Sequence, residues 1–244
     1  MTAPACGAPD LFDASLSVDG RKPFGVEGHR RRLRERLLTA GPDALADHEM
    51  LEIVLFALPR RDTKALAWML LTRFGSFARV IAAPMQELLA VDGLGEAGAA
   101  ALKSVQAAAL RLMRAEVIDQ PVLTNWDRLM AYLNAVLSRE RVEQFRVLFL
   151  DNRNRLLADE AQQRGTVNHT PVYPREVAKR ALELHATALI LVHNHPSGDS
   201  TPSAEDIAMT REIKAAAATL SIVLHDHVVV GNGRWLSFRT EGLL

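Results

Sequence analysis

The feature that most constrains this chain is "ALILVHNHPSGDSTPSAEDIAMT", residues 188–210, where an apolar run ends in two histidines one residue apart and the chain then turns. The run "ALILV" reads as a buried strand. Alternation along a strand sends residues two apart to the same side, so His193 and His195 present both imidazoles to one point. Pro196, Gly198 and Pro202 force the chain to turn back. Ser203 is a suitable N-cap, and a helix beginning there carries Asp206 in its first turn, facing the strand end. Two neutral imidazoles and one carboxylate form a hydrolytic zinc set that leaves a tetrahedral position for water. The same Ser-x-x-Asp spacing is also a capping box, which helix-end hydrogen bonding alone explains.

The rest of the chain divides into two patterns. From Gly28 to about Arg114 the apolar residues recur at helical spacing, broken at "AGPDALAD", "LPRRD", "RFGS" and "VDGLGE". This predicts an all-helical domain over residues 27–116. The Pro-bearing segment "AEVIDQPVLT" ends it, with Thr124 as the expected cap of a helix that carries Trp126, Leu129, Met130, Leu133 and Val136 on one face. Strands over "FRVLFLD", "LLADEA", "ALILVH", "SIVLHDHVVVG" and "GRWLSF" then alternate with helices over "REVAKRALELHA" and "SAEDIAMTREIKAAAATL". Residues 121–244 should therefore form a mixed α/β sheet with helices packed on it. Residues 1–26, rich in Pro, Gly, Ala and Asp, read as a flexible tail.

The string H-x-H-P followed by S-x-x-D, with ten residues between His195 and Asp206, resembles the JAMM signature of the MPN metalloprotease-like domains. The fuller wording "HNHPSGD" and "TPSAED", with "FRVLFLDNRNRLL", "YPREVAKRALELHA" and "HDHVVVG", is similar to the RadC family (UPF0758 type) in particular. Ser200 stands where many relatives have a second proline, a change in loop stiffness and not in ligation. The resemblance implies a cytidine-deaminase-like α/β fold and Zn2+ held by His193, His195 and Asp206. It also implies Glu143, just ahead of the first core strand, as general acid/base, with Glu160 as the alternative, and Ser203 as a stabiliser of the developing oxyanion. The expected chemistry is water-driven cleavage of a peptide or isopeptide bond in a protein or peptide substrate. A DNA-associated accessory protein and a metal-dependent nuclease are the alternatives.

A second pair, His225 and His227, repeats the H-x-H spacing, and alternation would put both rings on one face. It lacks a following acid at ligand spacing, so Asp226 and His227 are expected to support the first site or to pack. His29, His48, His169 and His185 have no partner at ligand spacing, and structural or surface roles are expected for them.

"ELLAVDGLGEAGAAALKSV" resembles a helix-hairpin-helix, whose glycines let backbone N–H groups approach a DNA phosphate. Gly93, Gly95 and Lys103 are the candidate contacts, although Glu96 stands where many such hairpins carry a lysine. Five arginines between Arg30 and Arg36, against the single acid Glu35, form a second candidate for non-specific phosphate contact, or one solvated helix face. The 29 basic and 29 acidic residues of the whole chain cancel, so charge alone argues for neither nucleic acid nor membrane. The lone Cys6 excludes an internal disulfide and a cysteine-based zinc site. With no secretory leader pattern and no apolar run of about 18 residues, no membrane partner and a cytoplasmic location are expected.

Overall fold

The computed structural model describes residues 26–58, 63–164 and 172–244. The expected tail lies outside them except for Val26, as do Cys6 and His169. Helices α1 (Val26–Ala40), α2 (Asp47–Val54), α3 (Thr63–Phe74), α4 (Phe77–Ala82), α5 (Met85–Leu89) and α6 (Gly95–Val117) make up the helical part. Their shared core includes Leu51, Leu55, Leu66, Leu70, Leu88, Leu94 and Leu102. The expected breaks at "AGPDALAD", "RFGS" and "VDGLGE" hold, the first two because Gly41 and Gly75 take the positive-φ backbone that ends a helix at little cost, whereas "LPRRD" lies outside the described residues except for Leu58. At 23 residues, α6 is roughly 34 Å long. Its first turns bury Gly98, Ala99 and Leu102 in the helical core, and its last residue, Val117, enters the core of the sheet.

Beyond α6 the chain runs along the sheet edge and enters α7 (Trp126–Leu137). The cap of α7 is Asn125, which makes no side-chain capping bond. Thr124, the expected cap, instead donates its hydroxyl back to the Pro121 carbonyl at 3.0 Å. Strands β1 (Gln144–Leu150), β2 (Leu156–Arg164), β3 (Ala188–Asn194), β4 (Val223–Gly231) and β5 (Arg234–Ser237) follow, with α8 (Pro174–Glu183) and α9 (Ala204–Ala218) between them. The sheet order is β2-β1-β3-β4-β5. Only β3 and β4, joined through α9, pair in parallel, so the sheet is mixed as expected.

Strand alternation sorts the side chains into two layers. Leu148, Leu150, Ile190 and Val192 pack with Leu129, Met130, Leu133 and Leu137 of α7 on one face. Phe145, Val147, Phe149, Leu189 and Leu191 pack with Val177 and Ala181 of α8 and Ile213 and Ala217 of α9 on the other. Every residue of β3 is buried, which is why its apolar run is continuous and not alternating. Under α7 lies a polar knot: Tyr132 donates to Asp159 Oδ2 at 2.6 Å, and Arg146 Nε donates to Oδ1 at 2.8 Å. The Asp159 side chain is fully buried, so both bonds are needed to offset its desolvation. Burial first, and the Asp159 charge second, push the Tyr132 hydroxyl well above its ordinary pKa, so it stays a donor.

Among the described residues no helix is long and apolar enough to cross a membrane. Tyr132→Phe removes one of the two bonds to Asp159 and should cost about 1–3 kcal/mol. Urea unfolding should show this as a lower midpoint with an unchanged slope, and an unchanged midpoint would show that the bond contributes nothing net.

Candidate metal centre

The sheet places His193 at the end of β3 on the face covered by α9, with His195 just beyond it. His195 is seated by its own N–H, which donates to the Val230 carbonyl at 2.9 Å. The chain then turns over residues 196–202, where Gly198 has φ of 86°. This loop lies directly on Gly231 of β4: a Cβ there would come within 2.6 Å of the Gly198 carbonyl oxygen. Only glycine admits so close a backbone approach.

Ser203 caps α9 as expected, accepting from the Asp206 N–H at 3.1 Å. Its own N–H and hydroxyl both donate to Asp206 Oδ2, at 2.8 and 2.7 Å. The capping box and the metal reading are therefore one structure: the cap aims the carboxylate. Asp206 Oδ1 lies 3.3 Å from His193 Nε2, and Oδ2 lies 3.4 Å from His195 Nε2. The two Nε2 atoms are 2.9 Å apart. Among the described residues this is the one group of three or more His, Cys, Asp or Glu able to hold a metal, and its ligand atoms all lie within 4.8 Å of one another.

Carbonyl oxygens, which only accept, determine the protons of both rings. His195 Nδ1 faces the Asp199 carbonyl at 2.7 Å, so Nδ1 carries the proton and Nε2 is left for the site. For His193 the chain is longer. Thr210 donates its hydroxyl to the Asp206 carbonyl at 2.5 Å, so its oxygen accepts from His227 Nδ1 at 2.6 Å. His227 Nε2 then accepts from His193 Nδ1 at 2.8 Å, which leaves the His193 Nε2 lone pair aimed inward. His227 is fully buried, and that burial, with His193 beside it, pushes its pKa well below the ordinary histidine value and keeps it neutral. Phe145 stacks on His193, and Phe238 lies against His227 with ring centroids 4.5 Å apart, so the relay sits in an apolar shell.

Two imidazole lone pairs beside a carboxylate require a cation, either a proton or a metal ion. Burial opposes ionisation of Asp206, but the hydrogen bonds that His193 and His195 donate to it when protonated at Nε2, together with those from Ser203, outweigh burial and hold the carboxyl well below its usual range. The same hydrogen bond to Asp206 raises the His195 pKa against the opposing effect of burial, with the Asp199 carbonyl and the charges of Asp206 and Glu143 adding to it. His193 is inaccessible and His195 is partly exposed, so the open side of the site lies at His195. The donor set fits a four-coordinate metal with three protein ligands and one open position.

Glu143 lies in the segment between α7 and β1, not on the helix, and is half-buried. β1 and β3 pair Phe145 with His193, and continuing that register sets Glu143 across from His195. Glu160 is instead bound by Arg180, at 2.6 Å to Oε1 and 2.9 Å to Oε2, on the outer strand β2.

The second histidine pair does not share one face. The β3–β4 register steps from Leu189↔Leu224 to Ile190↔Asp226, so His225 is the extra residue of a β-bulge, which breaks the alternation. His225 Nε2 turns to Asn154 Oδ1 at 2.7 Å, whereas His227 joins the relay. Asp226 instead holds the C-terminal turn, accepting from Ser237 Oγ at 2.6 Å and the Arg239 N–H at 3.0 Å. Of the lone histidines, His29 bonds buried Glu52 at 2.8 Å, His48 stacks on Trp68 and His185 ends α8 with φ of 53°. Two residues of the site were missed in the sequence. Thr210 could have been found as the i+4 neighbour of Asp206 on the same helix face. Asn194 could have been found as a polar side chain closing an apolar strand.

In the hairpin, Gly93 and Gly95 are exposed with φ of 82° and 60°, as the turn requires. Lys103 is turned inward, donating to Gln106 Oε1 at 2.7 Å and to the Ile81 carbonyl at 3.4 Å, and Glu96 occupies the first turn of α6. Part of the arginine run is also used internally: Arg30 donates to the Leu58 carbonyl, Arg31 pairs with Glu35 and Arg36 pairs with Glu49.

Residues 123–243 match the family model of the RadC-like JAB domain, and residues 28–100 match that of the UPF0758 N-terminal region. A UPF0758 protein of Rhodobacter capsulatus is 61% identical over 213 residues, covering 87% of this chain and all of that protein. This chain belongs to the UPF0758 family. A second member, from Ruegeria pomeroyi, is 54% identical over 223 residues, covering 91% of this chain and its own full length. The JAB match spans all three candidate metal ligands, Glu143 and the His227 relay.

A divalent metal supplied at about 100 times its dissociation constant should stabilise the protein by about 2.7 kcal/mol, a rise in melting temperature of roughly 5–10 °C for a chain of this size. His193→Ala and Asp206→Ala should each abolish that rise in thermal scanning. The raised His195 pKa means that its proton is held more tightly than on an ordinary histidine and competes with the metal. Metal affinity measured by titration calorimetry should therefore fall as pH drops through that raised value and level off above it; affinity that grows toward acid pH would contradict the ligand assignment.

Proposed function

We propose that this protein is a zinc-dependent hydrolase of JAMM type that cleaves a peptide or isopeptide bond. The observation that carries this reading is the pair of inward-facing Nε2 lone pairs on His193 and His195 beside the Asp206 carboxylate, open on the His195 side. Two imidazoles and one carboxylate suit several first-row metals, and the resemblance to the JAMM signature favours Zn2+ among them. When bound, the metal supplies Lewis acidity that makes water nucleophilic near neutral pH.

The chain's own residues do the rest. Glu143, across from His195, takes the proton of the attacking water and returns it to the leaving amine. The relay through His227 and Thr210 holds the His193 ring in the tautomer that ligation needs. Ser203 supports the Asp206 carboxylate through its N–H and its hydroxyl. To stabilise an oxyanion, the hydroxyl hydrogen would swing to the substrate while the N–H keeps its bond to Oδ2. Phe145 and Phe238 keep the inner side of the site dry, which strengthens these electrostatic effects.

Single-turnover assays of zinc-loaded protein on an isopeptide-linked fluorogenic peptide test the reading, with a structured DNA duplex as the competing substrate. Glu143→Gln should retain one zinc per chain and lose about 10²–10⁴-fold in rate. Wild-type activity on DNA alone, or an unchanged rate in the variant, would sink it.

A further inference from the structure

Asn194 lies between the two histidines and is almost wholly buried. Alternation sends its side chain to the opposite face of the sheet, toward α7 and the segment that follows it. A buried carboxamide costs free energy unless its polar atoms are paired, and here three backbone groups pair it. Its Oδ1 accepts from the Gln144 N–H at 2.9 Å, and its Nδ2 donates to the carbonyls of Glu140 and Val142, each at 3.3 Å. An N–H only donates and a carbonyl only accepts, so this amide has one possible orientation.

Two of those partners, the Val142 carbonyl and the Gln144 N–H, directly flank Glu143. We propose that Asn194 is the positioning residue that sets the Glu143 carboxylate over the metal site, by clamping the backbone on both sides of it. The proposal rests on the reading of Glu143 as general base and names what aims it. Residues 138–143 form neither helix nor strand, so a residue there needs an anchor to hold a proton acceptor in place. The fold puts that anchor at the end of β3, between His193 and His195. One strand end thus sends two imidazoles to one face and the clamp for the base to the other. The helical part holds the same segment from outside: Arg139 donates to the Ala78 carbonyl at 2.9 Å, and Arg141 pairs with Glu87.

The test uses the full-length zinc-loaded protein, with Asn194→Ala, Glu143→Gln and the double variant. Asn194→Ala should keep one zinc per chain by elemental analysis. Its amide hydrogen exchange should speed up at least 10-fold in residues 138–145 and stay unchanged in α9. On the isopeptide-linked peptide it should lower kcat at least 10-fold in the wild-type background and less than 2-fold in the Glu143→Gln background, because the clamp acts only through that carboxylate. Equal losses in both backgrounds, or unchanged exchange, would overturn the clamp while leaving Glu143 as the base. An unchanged rate in Glu143→Gln alone, or an inactive wild type, would overturn the reading beneath it. If Asn194→Ala does not fold, Asn194→Ser serves instead: its hydroxyl can accept from Gln144 but donates to only one carbonyl, and should give a smaller loss in the same direction.

Discussion

Strand β3 is buried on both faces along its whole length, and the rest of the sheet domain is arranged around that fact. A strand enclosed by α7 on one side and by α8 and α9 on the other can carry polar side chains only where partners satisfy them. The two polar residues inside β3, His193 and Asn194, stand together at its last two positions. Each is satisfied, His193 by His227 behind it and Asn194 by three backbone groups. The site is therefore built at the point where the strand leaves the core, close to solvent through His195 yet backed by packed side chains.

The electrostatics of the cluster follow from the same burial. Hydrogen bonds ending on the Asp199 and Asp206 carbonyls turn both Nε2 lone pairs toward Asp206. In water such rings would exchange tautomers freely; here each is held by a partner that can only accept, directly or through a relay. The helix cap plays the matching part for the carboxylate. A device that ordinarily ends a helix also orients a ligand, because Asp206 is at once the third residue of the capping box and the acid facing the histidines.

Much of the fold could be read in advance. The helical breaks, the seven regular elements from β1 to β5 with α8 and α9, the Ser203 cap and the three metal-binding candidates all rest on local pattern, and the structure brings those three side chains together. Where the structure departs from the local signal, another contact overrode it, at long range for the second histidine pair and at short range for Thr124. His225 and His227 look like a copy of His193 and His195, but a bulge opposite Leu189 and Ile190 separates them. Thr124 looks like a cap, but its hydroxyl closes a turn onto Pro121.

The amino-acid sequence by itself determined that two imidazoles and a carboxylate would meet: strand periodicity aims His193 and His195 together, and the helix capped by Ser203 returns Asp206, three residues past the cap, to them. These are short-range rules, acting within about twenty residues. Only the tertiary structure decided which nitrogen of the His193 ring faces the site, what Asn194 holds and where Glu143 stands. Those outcomes depend on hydrogen bonds between residues 17 to 54 positions apart, and such pairings exist only once the sheet has brought β1, β3 and β4 side by side.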